Sequence, residues 1–324
     1  MDTQRFKDIL ETRQIGIYFG SLVAAAFCTM IISKTTVFEM AINPALAFML
    51  FVTFLQVPLA ELGRAFSQVR FLSALLTTNF LLVPLLVAAL IPFTPSDPIV
   101  RLGVLLVLLT PCIDYVVTFS HLGRADARLL LAATPILLLV QVLLLPFYLG
   151  LFLGASAANL IRLGPFIHAF VWLIAIPLIL AGLMQIWAAR SRIGASSNTV
   201  LSLLPVPATA LVLFVVTVTV LPQLDAASDV ALQIIPIYVV FALVSPLLGW
   251  FTGRLFQLPS SAGRALAFSA GTRNSLVVLP LALAIPGAIP LLPAIIVTQT
   301  FVELISELVY IRLIAKLKYK KQTL

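Results

Sequence analysis

Four ionisable residues stand inside long apolar stretches of this chain: Asp114, Arg273, Glu303 and Glu307. Insertion scales charge ~2.5–3.5 kcal/mol for each such residue at the centre of a membrane helix. Groups that costly face a cavity or one another. Arg273 is expected to stay protonated, with Asp114 and Glu303 as its candidate partners. Three acids against one base would leave an excess of negative charge, and desolvation favours keeping at least one carboxyl neutral. A carboxyl that is neutral at rest can carry a proton. The blander reading of the same residues is a fixed Arg–carboxylate lock between two helices. Gln299, Glu303 and Glu307 are spaced by four and share one helix face. Glu307 lies nearer the end of its stretch and is expected to be solvated.

Two interruptions accompany these charges. One reads Leu108-Leu109-Thr110-Pro111-Cys112-Ile113-Asp114-Tyr115, the other Ser269-Ala270-Gly271-Thr272-Arg273-Asn274-Ser275, with Pro280 following. Pro111 lacks the backbone donor a helix needs and clashes with the preceding turn. Backbone groups freed inside a bilayer must be buried in protein or line a cavity. Cys112, directly after Pro111, is either a small packing residue or a soft ligand suited to a thiophilic solute. His121 and His168 have no metal-ligand spacing to other candidates. No H-E-x-x-H, G-x-S-x-G or P-loop pattern occurs, and a second intramembrane aspartate is lacking. Neither an enzyme nor a resident cofactor is expected.

The elements that position these residues must be transmembrane helices. Of 324 residues, 61% are hydrophobic and 10% charged, against about 25% charged in soluble domains. A mean hydropathy of +1.15 excludes disorder, a disulfide scaffold and nucleic-acid binding, despite a net charge of +8. A span needs ~20 apolar residues, which divides the chain into ten: 15–33, 42–60, 71–93, 99–120, 129–153, 161–187, 200–221, 230–251, 265–286 and 291–314. Sixteen of the 20 Lys and Arg residues fall before span one, in the even-numbered linkers, or at the end of span ten and beyond it. Lys34, Arg101 and Arg162 lie opposite, and Arg273 lies within a span. By the positive-inside rule both termini are cytoplasmic. The first span is read as an uncleaved helix, because it is too long for a signal core and no A-x-A site follows.

Residues 44–52 (PALAFMLFV) match 207–215 (PATALVLFV) at six of nine positions, an offset of about half the chain. Five spans per half invert the second half, so 1–157 and 158–324 are expected to be two inverted five-helix repeats in one membrane domain. The same offset maps the Pro111 interruption onto Arg273-Asn274-Ser275. Paired interruptions at corresponding positions are a pointer to a transport site. The expected fold is therefore an all-α membrane protein with broken helices four and nine.

The ten spans, the repeat and the two broken spans resemble the bile acid/sodium symporter superfamily. Gly271-Thr272-Arg273-Asn274-Ser275 resembles its span-nine crossover, where Gly is followed two residues on by Gln-Asn-Ser. Thr110-Pro111-Cys112 resembles its arsenical-resistance branch, which carries Pro-Cys in span four. That resemblance implies efflux of arsenite or a related metalloid, with Pro111, Cys112, Asp114, Arg273, Asn274, Ser275 and Glu303 around the solute. Family symporters place a sodium-liganding Glu five residues before the Asn and a Gln one residue before it. Here these are Ser269 and Arg273. A fixed cation repels sodium in a poorly screened site, so the proton is the expected coupling ion. The alternatives are a transporter of a small organic anion anchored by Arg273, or a non-transporting receptor. The partners expected are the lipid bilayer of an inner or plasma membrane and a small solute.

Overall fold

A computed structural model describes residues 3–31, 36–56, 68–113, 115–154, 168, 171–221, 228–283, 285 and 291–319. In chain order the helices are α1 (Thr3–Ile31), α2 (Thr36–Leu55), α3 (Val69–Thr77), a π-helical turn (Thr78–Leu82), α4 (Val83–Leu90), α5 (Pro98–Leu108), α6 (Tyr115–Leu122), α7 (Ala127–Leu153), a second π-helical turn (Val171–Ala175), α8 (Ile176–Arg190), α9 (Arg192–Leu201), α10 (Pro205–Val220), α11 (Ser228–Leu255), α12 (Ser260–Gly271), α13 (Ser275–Leu283) and α14 (Leu291–Leu313). The described residues are helical apart from connecting turns and one isolated bridge, Pro111 to Arg273. Six continuous helical stretches are long and apolar enough to cross a membrane, and the α9–α10 pair, bent by 44°, could make a seventh. The stretches expected as spans four and nine are each two short helices, α5 with α6 and α12 with α13.

The chain forms two compact units. The first comprises residues 1–57, 160–229 and 276–297; the second comprises 58–159, 230–275 and 298–324. Each unit draws on both expected halves, and the chain passes from the second unit to the first between Asn159 and Leu160. In the first unit α10 packs against both α1 and α2, and α2 also packs against α8. Leu46, Leu50, Val52 and Phe54 of α2 are buried there. Gln185 of α8 donates to the carbonyls of Phe54 and Leu55 at 3.3 Å each, covering the last turn of α2, whose carbonyls have no partner within the helix. Outward residues stay apolar, as at Phe27, Met30 and Ile31 of α1, which is the surface a lipid requires.

The second unit contains α3 to α7, α11, α12 and most of α14. Its α5 starts sharply because Asp97 accepts from the Ile99 amide at 2.7 Å, with Pro98 at the first helical position. The α11 sequence Gly249-Trp-Phe-Thr-Gly253 lets two backbones meet. A Cβ on Gly249 would lie 2.4 Å from the Leu266 carbonyl oxygen of α12, and one on Gly253 would lie 2.9 Å from the Gly263 Cα. Small residues four apart allow such approach in a membrane, where packing replaces the hydrophobic effect between helices.

Among the prolines inside this unit's helices, each of which frees a carbonyl four residues earlier, two free one that a tyrosine hydroxyl takes. Pro84 leaves Phe80, whose carbonyl accepts from Tyr148 of α7. Pro246 leaves Ala242, whose carbonyl accepts from Tyr310 of α14. Without water, each freed group must find such a partner inside the protein.

Candidate functional site

The two interruptions meet within the second unit. The Cys112 amide donates to the Thr272 carbonyl at 3.1 Å, and the Asn274 amide donates to the Thr110 carbonyl at 2.9 Å. The breaks therefore satisfy one another as a short antiparallel bridge. Val107, the carbonyl that Pro111 orphans, accepts from the Thr110 amide at 3.2 Å and its hydroxyl at 3.0 Å. Thr110, Cys112, Thr272, Arg273, Asn274 and Ser275 are all buried.

Arg273 is fully buried. Its Nη2 donates to Ser269 O at 2.6 Å, Ala270 O at 2.8 Å and Asn79 Oδ1 at 2.9 Å, and its Nη1 donates to Leu108 O at 3.4 Å. Its Cζ lies 5.5 Å from the Phe241 ring centroid, within cation–π range. The carbonyls belong to the last turns of α5 and α12, where partial negative charge accumulates. Asn79 belongs to the first π-helical turn and also donates to Ser269 Oγ at 3.0 Å. A π-turn at a functional contact is a recurring pattern. Among the described residues no carboxylate stands within 4 Å of the guanidinium. The Arg273 Nε and the Asn274 Nδ2 are buried without an acceptor.

Glu303 does not form the expected ion pair with the guanidinium. Its Oε2 accepts from the backbone amide of Arg273 at 2.8 Å and from Gln299 Nε2 at 2.5 Å. Its Oε1 bonds the Tyr115 hydroxyl, which also lies 3.0 Å from the Arg273 carbonyl. Ser275 Oγ donates to Gln299 Oε1. The reason is geometric: the guanidinium extends back along α12 into its carbonyls, while α14 faces the opposite, backbone side of the break.

Glu307 is the main correction to the expected burial. It is 0% exposed rather than solvated, and its Oε1 lies 2.5 Å from Thr272 Oγ1. The four-residue spacing that brings Gln299 and Glu303 to the break brings Glu307 with them. Gly271 makes room for α14, since a Cβ there would sit 2.8 Å from the Tyr310 ring and 2.9 Å from Pro246.

Pro111, Cys112, Arg273, Asn274, Ser275 and Glu303 thus come together, and Asp114 lies outside the described residues. Asn79, Tyr115, Thr272 and Glu307 were not singled out as site residues from sequence. For Asn79 the available signal was an amide in an apolar run just before Pro84. No group of three or more metal-ligating side chains occurs among the described residues.

These features define a multi-pass, all-helical membrane protein with a polar crossing of two interrupted helices. A family model, the sodium bile acid symporter family, matches residues 43–227. The chain belongs to that family of membrane transporters. No curated protein matches it.

Proposed function

We propose that this chain is a secondary active transporter that couples proton movement to efflux of arsenite or a related metalloid. It has ten spans in two inverted repeats, 1–157 and 158–324, with both termini cytoplasmic. The solute meets Pro111, Cys112, Asp114, Asn274 and Ser275 where helices four and nine break, with Arg273 and Glu303 behind them. The observation that carries the reading is the bonded crossing of the two breaks around the buried Arg273 guanidinium. Three backbone carbonyls and an amide oxygen already hold a fixed cation there. A sodium ion 4 Å from it would be repelled by about 4 kcal/mol at an effective dielectric of about 20. The residues at this crossing therefore do not fit sodium coupling. Cys112 supplies the soft donor that a thiophilic solute needs.

A second reading, a small organic anion, is favoured by one observation: Arg273 Nε and Asn274 Nδ2 are buried donors without acceptors. A buried polar group left unpaired costs about 1–3 kcal/mol, and an anionic solute oxygen reaching either donor would relieve it.

Arsenite efflux into everted vesicles tests both readings. Efflux should follow a pH gradient and stay unchanged when sodium is replaced by choline. Cys112→Ser should lose arsenite resistance while the protein still accumulates. Cys28→Ser, in α1 of the other unit, should keep it. Strict sodium dependence overturns the coupling assignment. Equal resistance in wild type and Cys112→Ser gives first place to the organic anion.

A further inference from the structure

We infer that Glu307 is the proton-binding site of the crossing: a neutral carboxylic acid whose hydrogen is donated to Thr272 Oγ1, and the group that takes up and releases the coupled proton. The coupling half of this inference rests on the proton-coupled reading above.

The hydrogen count leads to this assignment. Thr272 Oγ1 has one hydrogen and two close oxygens, Phe268 O at 2.7 Å and Glu307 Oε1 at 2.5 Å. Phe268 O can only accept, and a helical threonine commonly gives its hydroxyl hydrogen to the carbonyl four residues back, which places the Thr272 hydrogen on Phe268. The contact to Glu307 then needs a hydrogen from the carboxyl itself. The other carboxyl oxygen, Oε2, is buried with no partner. An anion at Glu307 would have no N–H donor and would carry an unsolvated charge.

Glu303 differs in kind. Two N–H groups and a phenol surround its oxygens, which is the environment of a stable carboxylate. Whichever way the Tyr115 hydroxyl turns between the Arg273 carbonyl and Oε1, the two N–H donors on Glu303 Oε2 remain, and Glu307 has no such donor. The count is then one cation at Arg273, one anion at Glu303 and a neutral Glu307. The titratable groups acting on Glu307 are Glu303 and Tyr310 from α14; Arg273 at the break acts on Tyr310, and Tyr115 from α6 reaches Glu303. From α11, Phe241 lies against Arg273, Ala242 accepts from Tyr310 and Pro246 lies beside Gly271, and none of the three is titratable.

Release breaks the Oε1–H bond and passes the proton to water that reaches the carboxyl during the transport cycle. The Thr272 hydroxyl can then turn from Phe268 toward the new carboxylate. The cluster gains one negative charge, and uptake reverses each step.

Infrared difference spectra of the full chain in liposomes, at varied pH and in light and heavy water, test the protonation. Wild type should show a buried carboxylic C=O band that shifts in heavy water. Glu307→Gln should lose it and Glu303→Gln should keep it. Thr272→Val should move it to higher frequency, which keeps the test decisive if Glu307→Gln does not accumulate. Absence of the band in wild type, its survival in Glu307→Gln, or no shift in Thr272→Val overturns the assignment. Arsenite flux tests the coupling. Arsenite exchange should persist in Glu307→Gln, while acceleration by a pH gradient falls at least tenfold. A wild type indifferent to the gradient sinks the proton-coupled reading but leaves the protonated carboxyl standing. Gradient-driven efflux that survives in Glu307→Gln sinks the inference alone.

Discussion

At the scale of single residues, the tyrosines that serve proline-freed carbonyls give a direct energetic test. Tyr310 donates to Ala242, orphaned by Pro246, and Tyr148 donates to Phe80, orphaned by Pro84. Hydrogen bonds between membrane helices average about 0.6 kcal/mol, with about 1.7 kcal/mol at the top of the measured range. Tyr310→Phe should therefore destabilise the detergent-solubilised protein by about 1 kcal/mol, read as a lowered Tm. In a Pro246→Ala background the penalty should shrink, because residue 246 regains an N–H for Ala242. An equal penalty in both backgrounds would show that the phenol acts through something other than the freed carbonyl. The same scale shows why sequence reading misplaced Glu307. Position along a helix suggested solvent, but burial was decided by Thr272 arriving from another segment.

At the scale of helices, the close approach of α11 and α12 through Gly249 is the most sensitive contact. A Cβ at Gly249 would overlap the Leu266 carbonyl oxygen at 2.4 Å, and backbone cannot swing aside as a side chain can. Overpacking typically costs about 1–3 kcal/mol. Gly249→Val should reach at least that, lowering Tm, and should impair transport because α12 carries Ser269 to Gly271 beneath Arg273. Gly150→Ala is the control, since nothing lies within 4 Å of a Cβ there; it should be nearly silent in both measurements. The breaks at Pro111 and Arg273 were legible because proline and charge interrupt apolar runs. That the two breaks bond each other was not legible, since it depends on which helices pack side by side.

For the whole molecule, the charge distribution makes the topology testable. Sixteen basic residues lie on the side assigned to the cytoplasm against three opposite. Cysteines introduced at Thr3 and Thr323 should stay unlabelled by an impermeant reagent in intact cells and react after permeabilisation. Labelling of either in intact cells removes the even-span arrangement. The compact units cut across the expected halves, each taking segments from both. A sequence repeat reports similar segments, whereas compactness reports which segments share neighbours, and these are different properties of a chain.

The sequence alone determined that this is a helical membrane protein with two interrupted spans and a few buried charges. Hydropathy, proline and charge are local quantities that act within one or two turns. Tertiary structure decided the partners. It placed the Arg273 guanidinium among carbonyls rather than against Glu303, gave Glu303 the backbone amide, and brought Thr272 to Glu307. Each of those contacts joins residues 30 or more apart or sets the direction of a long side chain. The outcome turns on how backbones pack at glycines and on which freed groups find acceptors, and neither can be read from any single stretch of chain.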